Sequence, residues 1–235
     1  MRNQRVIITN AIICSLLCVL GILVSTINLN QTYLTVNAPL ANGSRDNQQI
    51  ALMIIIDDPQ LANNLPSILE TLNKAQASAT FFFTGTSAIN NLELLQKIAT
   101  QHELGNCGFS NTALNIADKD AITEEIQLSD AMIQSLVNQK MKVFTPPHQA
   151  FNKHTLAMAD NLGYATVLPT ERNAVIDWDT ADSNLVLSYA TYNIQNGDIV
   201  ALKPTVATMQ CFSQIITNYR ANDLEITSLA RLFQL

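Results

Sequence analysis

From residue 50 onward, short apolar runs alternate with amphipathic segments. The short runs are rich in β-branched and aromatic residues and predict buried strands at 51–56, 79–83, 142–145, 164–168 and 198–202. Apolar positions three and four residues apart predict helices at 63–75, 92–100, 121–138, 153–161, 185–194 and 209–219. Repeated strand–helix units are typical of an α/β fold with a parallel sheet. Functional side chains of such folds lie at the carboxyl ends of strands.

The first 28 residues have a different pattern. Arg2 and Arg5 precede residues 6–28, a largely apolar stretch without any charge. About 22 helical residues span roughly 33 Å, enough to cross a hydrocarbon core of about 30 Å. This length favours an uncleaved transmembrane signal-anchor, with a cleaved signal peptide as the alternative. Positive residues stay inside, so we expect residues 1–5 in the cytoplasm and the rest on the extracytoplasmic side of the cell membrane.

The remainder of the chain divides into a linker and one domain. Residues 29–49 are polar, contain Pro39 and Gly43, and show no sustained hydrophobic period, which indicates a linker. Residues 50–235 are long enough to bury the core of a single domain. The net charge is −6, and the lack of a basic cluster after the first five residues excludes a nucleic-acid partner.

Four cysteines occur in the sequence. Cys14 and Cys18 fall in the predicted anchor and are interpreted as apolar filler. Cys107 and Cys211 fall in the exported part, where a disulfide is chemically permitted. The sequence does not place these two residues within bonding distance, so we do not predict a disulfide.

Three motifs occur in order along the first half of the domain. Asp57-Asp58 ends the first apolar run, the segment ATFFFTG occupies 79–85, and HELGN occupies 102–106. Together they resemble the opening motifs of the polysaccharide deacetylases, also called NodB-homology domains or family-four carbohydrate esterases. The resemblance covers residues 50–235 and implies the distorted parallel (β/α) barrel of that family.

The resemblance also implies roles for the residues in these motifs. Asp57 matches the catalytic base and Asp58 matches a metal ligand. Two further ligands, both histidines on a turn and the start of a helix, are expected where Cys107 and Asn111 stand. Asparagine is a poor zinc ligand, whereas a cysteine thiolate is a good one. We predict a degenerate site without metal; a zinc site rebuilt from Asp58, Cys107 and His148 is the alternative.

The later motifs are altered as well. The family's Arg-Pro-Pro-Tyr-Gly corresponds to TPPHQ at 145–149, so the arginine that orients the base is replaced by Thr145. Asp177 and Trp178 match the motif whose Asp supports the catalytic acid and whose Trp lines the acetyl pocket. The predicted substrate groove therefore consists of Thr145, Pro146, Pro147, His148 and Trp178.

Lys203 stands where the family has its catalytic acid, a histidine. A lysine in water holds its proton to about pH 10, which makes it a poor acid near neutrality. A second hypothesis concerns charge: adjacent carboxylates repel each other, and Lys203 enters from a strand end on the same face. Its ammonium would then stand where the metal otherwise sits; extension of Lys203 into solvent is the alternative.

These replacements affect metal binding, base orientation and acid catalysis together. We therefore expect a catalytically inactive domain that binds a cell-wall glycan, such as peptidoglycan or chitin-like oligomers, or serves as a scaffold. Two alternatives stay open. One is an active N-deacetylase with a rebuilt zinc site, and the other is a protein-interaction domain without affinity for glycans.

Overall fold

The computed structural model describes residues 38–171 and 181–235. The predicted anchor at 6–28 lies outside these residues, as do Asp177 and Trp178. Among the helices within the two described ranges, none is long and apolar enough to cross a membrane.

Strands of the described ranges form one parallel sheet that curves into a half-barrel. They are β1 (Gln49–Ile56), β2 (Thr80–Phe83), β3 (Glu103–Asn106), β4 (Val143–Phe144), β5 (Ala165–Thr166), β6 (Ile199–Leu202) and β7 (Glu225–Thr227). The strand order is β5-β4-β3-β2-β1-β6, and β7 pairs with the first residues of β1. The predicted parallel α/β architecture is confirmed.

Helices connect these strands. They are α1 (Leu65–Lys74), α2 (Gly85–Ile89), α3 (Leu92–Ala99), α4 (Lys119–Leu136), α5 (Lys153–Asn161), α6 (Ser183–Thr191), α7 (Val206–Ala221) and α8 (Leu229–Phe233), with 3-10 turns at Pro59–Asn64 and Pro147–Gln149. Side-chain caps fix where several of them begin: Asn152 forms a capping box with Thr155 at the start of α5. The predicted bounds of α5 are confirmed, because both its cap and its apolar period are local.

Two apolar layers lie on the two faces of β1. Ile50, Leu52 and Ile54 belong to the large core between the sheet and its helices. The alternate residues Ala51 and Met53 belong to a smaller core on the opposite face. Burial on both faces explains the uninterrupted apolar run of β1, as expected for a central parallel strand.

The segment at 102–106, for which the hydrophobic pattern predicted no element, contains a strand. It forms strand β3, and Cys107 and Asn111 lie in the loop that follows, because α4 begins only at Lys119. The expected turn and helix start at 107–111 is therefore wrong. Sequence reasoning missed β7, α2 and α8, which have only three to five residues each and show no clear hydrophobic period.

The end of the predicted linker packs against the sheet. The Leu40 backbone N–H donates to Thr166 O at 2.8 Å, and its carbonyl accepts from Leu168 N at 2.9 Å. Farther along, Gly43 N donates to Gly197 O at 2.7 Å, just before β6. Residues 40–43 thus bridge the opening of the half-barrel between β5 and β6.

An ion pair fixes the same segment. Arg45 Nη1 lies 2.5 Å from Asp198 Oδ1, and the Asp198 side chain is 0% exposed. The second carboxylate oxygen accepts from Gln195 N at 2.9 Å. Because a buried carboxylate is costly without a cation, Arg45 stabilises the closed half-barrel.

Arg45→Met is expected to destabilise the protein. Since Arg45 is 42% exposed, the loss should be about 2 kcal/mol, below the range for fully buried pairs. That corresponds to a melting temperature lower by about 5 °C in thermal denaturation. The matched control is Lys74→Met, which removes an exposed lysine beside Glu70 and should change little. Equal melting temperatures for the two variants would show that the Arg45 pair contributes nothing.

The side chains of the HELGN segment at 102–106 make packing contacts and hydrogen bonds that support the fold. His102 is buried against Phe81, with ring centroids 5.1 Å apart, and neither ring nitrogen has a hydrogen-bond partner among the described residues. Glu103 accepts from Thr80 Oγ1 at 2.5 Å and from Ala230 N at 3.1 Å, which caps α8. These contacts hold β3 and α8 to the sheet.

Gly105 and Asn106 of the same segment also have structural roles. A Cβ at Gly105 would come within 2.3 Å of the Phe82 ring, so only glycine fits there. Asn106 donates to Ile126 O at 2.9 Å and accepts from Gly108 N at 2.9 Å. The segment therefore specifies packing around β3.

Because of His102, the stability of the fold is expected to depend on pH. Burial lowers its pKa from 6.5 to about 4, so protonation favours the unfolded chain. The free energy of unfolding therefore keeps its full value above about pH 6.5, where His102 is neutral in the folded and the unfolded chain. It decreases by up to about 3 kcal/mol as the pH falls towards 4. His102→Leu should abolish this loss in urea unfolding measured from pH 7 to 4. Burial raises the pKa of Glu103, but this affects the wild type and the His102→Leu variant alike. If the stability of the two proteins depended on pH in the same way, His102 would not be the cause of the loss.

Candidate functional site

One cavity lies at the carboxyl ends of the strands. Its volume is about 190 Å³. It is lined by every predicted site residue within the described ranges except Asp58, namely Asp57, Cys107, Asn111, Thr145, Pro146, Pro147, His148 and Lys203. Sequence reasoning missed Ile55, Gln149 and Pro169, which also line it. The strand-end rule would have found Pro169, since it follows β5.

Sheet topology brings these residues together. Asp57, Cys107, Thr145 and Lys203 directly follow β1, β3, β4 and β6. All these strands are parallel, so their carboxyl ends meet at one edge although the residues are far apart in sequence.

An ion pair dominates the cavity. Lys203 Nζ lies 2.6 Å from Asp57 Oδ2, and the two side chains are 21% and 10% exposed. Asn111 Nδ2 donates to the same oxygen at 3.5 Å. Lys203 therefore extends into the cavity and contacts Asp57.

Asp58 turns away from the cavity. Its Oδ1 accepts from Gln60 N at 2.8 Å, which caps the 3-10 turn that begins at Pro59. The expectation that both carboxylates face one groove is therefore wrong, because this local turn binds one of them. The Lys203 ammonium pairs with the residue at the base position, Asp57, and not with the one at the ligand position.

Cys107 is a neutral thiol in this environment. It is 2% exposed, and burial, reinforced by the negative charge of Asp57, raises its pKa far above the ordinary value despite the opposing effect of Lys203. The thiol form of Cys107 is therefore favoured while the cavity holds no metal ion. Both Cys107 and Cys211 are free and buried.

These donors do not fit the divalent metal that the family resemblance implies. Asp57 is ion-paired, Asp58 caps a turn and does not line the cavity, and Asn111 offers only a neutral amide. Over residues 38–171 and 181–235, no three His, Cys, Asp or Glu side chains are grouped so that they could hold a metal ion.

A side chain of α4 holds the loop after β3. The Glu125 carboxylate of α4 accepts from Phe109 N at 2.8 Å, Ser110 N at 2.9 Å and Ser110 Oγ at 2.6 Å. Gly108 permits the approach through its positive φ of +78°. The loop that presents Asn111 is thus ordered by a carboxylate of the protein.

The opposite wall is a strained turn. His148 and Gln149 have φ values of 57° and 56°, and Asn111 has 60°. Non-glycine residues adopt this left-handed region at a cost, and such strain clusters at functional sites. His148 Nε2 lies 2.9 Å from Asn111 O, which joins the two walls.

Thr145 faces the cavity between these walls. It is 3% exposed, and its hydroxyl has no hydrogen-bond partner among the described residues. The cavity therefore combines an available hydroxyl and a charge-balanced ion pair with apolar walls from Pro146 and Pro147. Such a lining suits the binding of an uncharged polar molecule.

Known proteins are similar to this chain in sequence. YlxY of Bacillus subtilis is 26% identical over 196 residues, which cover 83% of this chain and 60% of that protein. A peptidoglycan-N-acetylglucosamine deacetylase of Bacillus cereus is 25% identical over 157 residues, covering 66% of this chain and 73% of its own. This chain thus spans 60% of the length of YlxY and 73% of the length of the Bacillus cereus deacetylase.

A solved structure matches the half-barrel. The crystal structure of a CE4-family pseudoenzyme from Bacillus anthracis has a TM-score of 0.78 and 27% identity, and the match covers 83% of this chain and 68% of that one. The family model for polysaccharide deacetylases matches residues 44–167, more than half of the sequence. With this match and the strand-end cavity in agreement, the chain belongs to the polysaccharide deacetylase family, carbohydrate esterase family four (CE4).

Proposed function

We propose that this protein is a membrane-anchored, extracytoplasmic CE4 domain that binds cell-wall glycan without hydrolysing it. The ion pair of Asp57 and Lys203 carries this proposal. Its 2.6 Å contact occupies the carboxylate oxygen that a catalytic base would offer to water. The same contact engages the residue at the acid position, so one interaction removes both groups from proton transfer.

The catalytic contributions that this cavity lacks are large, which supports the proposal that the domain is inactive. General acid–base catalysis contributes a factor of about 10² to 10⁴, and metal polarisation of the substrate contributes several kcal/mol more. The described donors fit no metal, and Thr145 carries no charge with which to orient Asp57. A CE4 fold without activity has a precedent in the Bacillus anthracis pseudoenzyme, of which a mutant with restored enzymatic activity has also been crystallised.

The cavity supports glycan binding. An N-acetylated sugar has apolar ring faces and uncharged polar groups, which match the proline walls and the Thr145 hydroxyl. The relative from Bacillus cereus is named for action on peptidoglycan, and this chain's apolar segment at 6–28 supports anchoring beside a cell wall. Peptidoglycan is therefore the glycan we propose.

The purified full chain is expected to contain substoichiometric zinc by metal analysis and to release no acetate from chitooligosaccharides. The reason is that the cavity lacks both the ligand set and a free base. The Bacillus cereus deacetylase serves as the positive control. Stoichiometric zinc with acetate release that is lost in Asp58→Ala would instead establish a rebuilt active site.

The full chain is expected to sediment with insoluble peptidoglycan at low salt. Thr145→Val removes the cavity hydroxyl at almost constant volume, and losing one hydrogen bond of about 1 kcal/mol should weaken binding about fivefold. The matched control is Thr217→Val on the exposed face of α7, whose hydroxyl contacts only Ser213 O at 2.8 Å in the described structure. No sedimentation of the wild-type chain would favour a protein-interaction domain without glycan affinity.

A further inference from the structure

The imidazole of His148 lines the cavity and has one ring nitrogen that the described structure leaves for a ligand. Its Nε2 lies 2.9 Å from Asn111 O. A carbonyl oxygen only accepts hydrogen bonds, so Nε2 carries the proton in this contact and Nδ1 of the neutral ring carries the lone pair. Nδ1 has no hydrogen-bond partner among the described residues. The ring therefore offers an acceptor to a molecule in the cavity.

We propose that His148 determines specificity at this site by accepting, at Nδ1, a hydrogen bond from a hydroxyl or amide N–H of the bound glycan. An N-acetylated sugar carries donors as well as acceptors, so a site that selects it needs both kinds of partner. This inference rests on the proposed function and deepens it, because it names an acceptor that complements the Thr145 hydroxyl.

The backbone fixes the position from which the imidazole extends. Pro146 and Pro147 precede it, and the proline rings restrict φ. The turn is closed by Gln149 N, which donates to Pro146 O, and by Ala150 N, which donates to Pro147 O, both at 3.0 Å. His148 itself has a φ of 57°. The ring therefore starts from a rigid base.

The other end of the contact is fixed as well. Asn111 has a φ of 60°, and the chain just before it is held by the Glu125 carboxylate, which accepts from Phe109 N and Ser110 N. The imidazole is thus anchored through its backbone on one wall and through Nε2 on the other. A group that is held in place before binding loses little conformational entropy when a ligand arrives.

Access and strain also support a role in binding. His148 is exposed, so a glycan reaches the ring without any opening of the fold. A left-handed φ costs free energy in a non-glycine residue, and such strain clusters at sites that hold ligands. Glycine would adopt this backbone more easily, but it would carry no ring to contact Asn111 O or a sugar.

Two substitutions separate the roles of the two ring nitrogens. His148→Gln places an amide N–H near the position of Nε2, so it keeps the contact with Asn111 O and removes the acceptor. His148→Asn places an oxygen near the position of Nδ1, so it keeps an acceptor and removes the contact. In sedimentation of the full chain with insoluble peptidoglycan at low salt, His148→Gln should weaken binding about fivefold at an unchanged melting temperature. His148→Asn should lower the melting temperature by about 3 °C and yet bind more tightly than His148→Gln.

His154→Gln is the matched control and should sediment like the wild type. His154 lies in the first turn of α5 and is not among the described residues that line the cavity. Equal binding by the wild type and His148→Gln overturns the proposal. Equal weakening in both His148 variants also overturns it, because the loss would then come from the broken wall contact. Absence of sedimentation of the wild-type chain would instead contradict the proposed function, and this inference with it, so the two failures are distinguished.

Discussion

The ion pair of Asp57 and Lys203 connects the carboxyl ends of two adjacent strands, β1 and β6, at the cavity. Its short contact satisfies a largely buried carboxylate with a group that the chain itself carries. A balanced, preorganised cavity is suited to holding a neutral sugar. The same contact holds the carboxylate of Asp57 and the ammonium of Lys203 against each other. Under the proposed function, this one contact accounts both for the stability of the cavity and for the lack of activity that we propose.

The family signature separates into residues that fold the chain and residues that face the cavity. Glu103, Gly105 and Asn106 match the family motif, and their contacts cap α8, accommodate an aromatic ring and order the following loop. Cys107 and Asn111 depart from it, and both line the cavity. A motif match of this kind carries information about the fold, whereas activity depends on the site.

The cavity keeps its shape through contacts that involve no metal. Glu125 binds the backbone after β3, and His148 joins that loop to the wall formed by the second 3-10 turn. Backbone strain at His148 and Gln149 persists because these contacts and the flanking structure hold it in place. The loops are thus anchored from the outer helix and across the cavity. The walls of the cavity are therefore held in place by side chains of the protein itself.

The sequence by itself determined the parallel α/β architecture and the position of the site at the strand ends, because the hydrophobic period of each strand and helix is local and their alternation along the chain is typical of a parallel sheet. It did not determine which of the adjacent residues Asp57 and Asp58 enters the cavity; the turn at Pro59 decided that. Nor did it fix the partner of Lys203, which lies 146 residues from Asp57 in sequence. Packing of β6 against β1 brings the two charges together. Contacts over such separations arise only when the sheet has assembled, so tertiary structure alone decided the chemistry of the cavity.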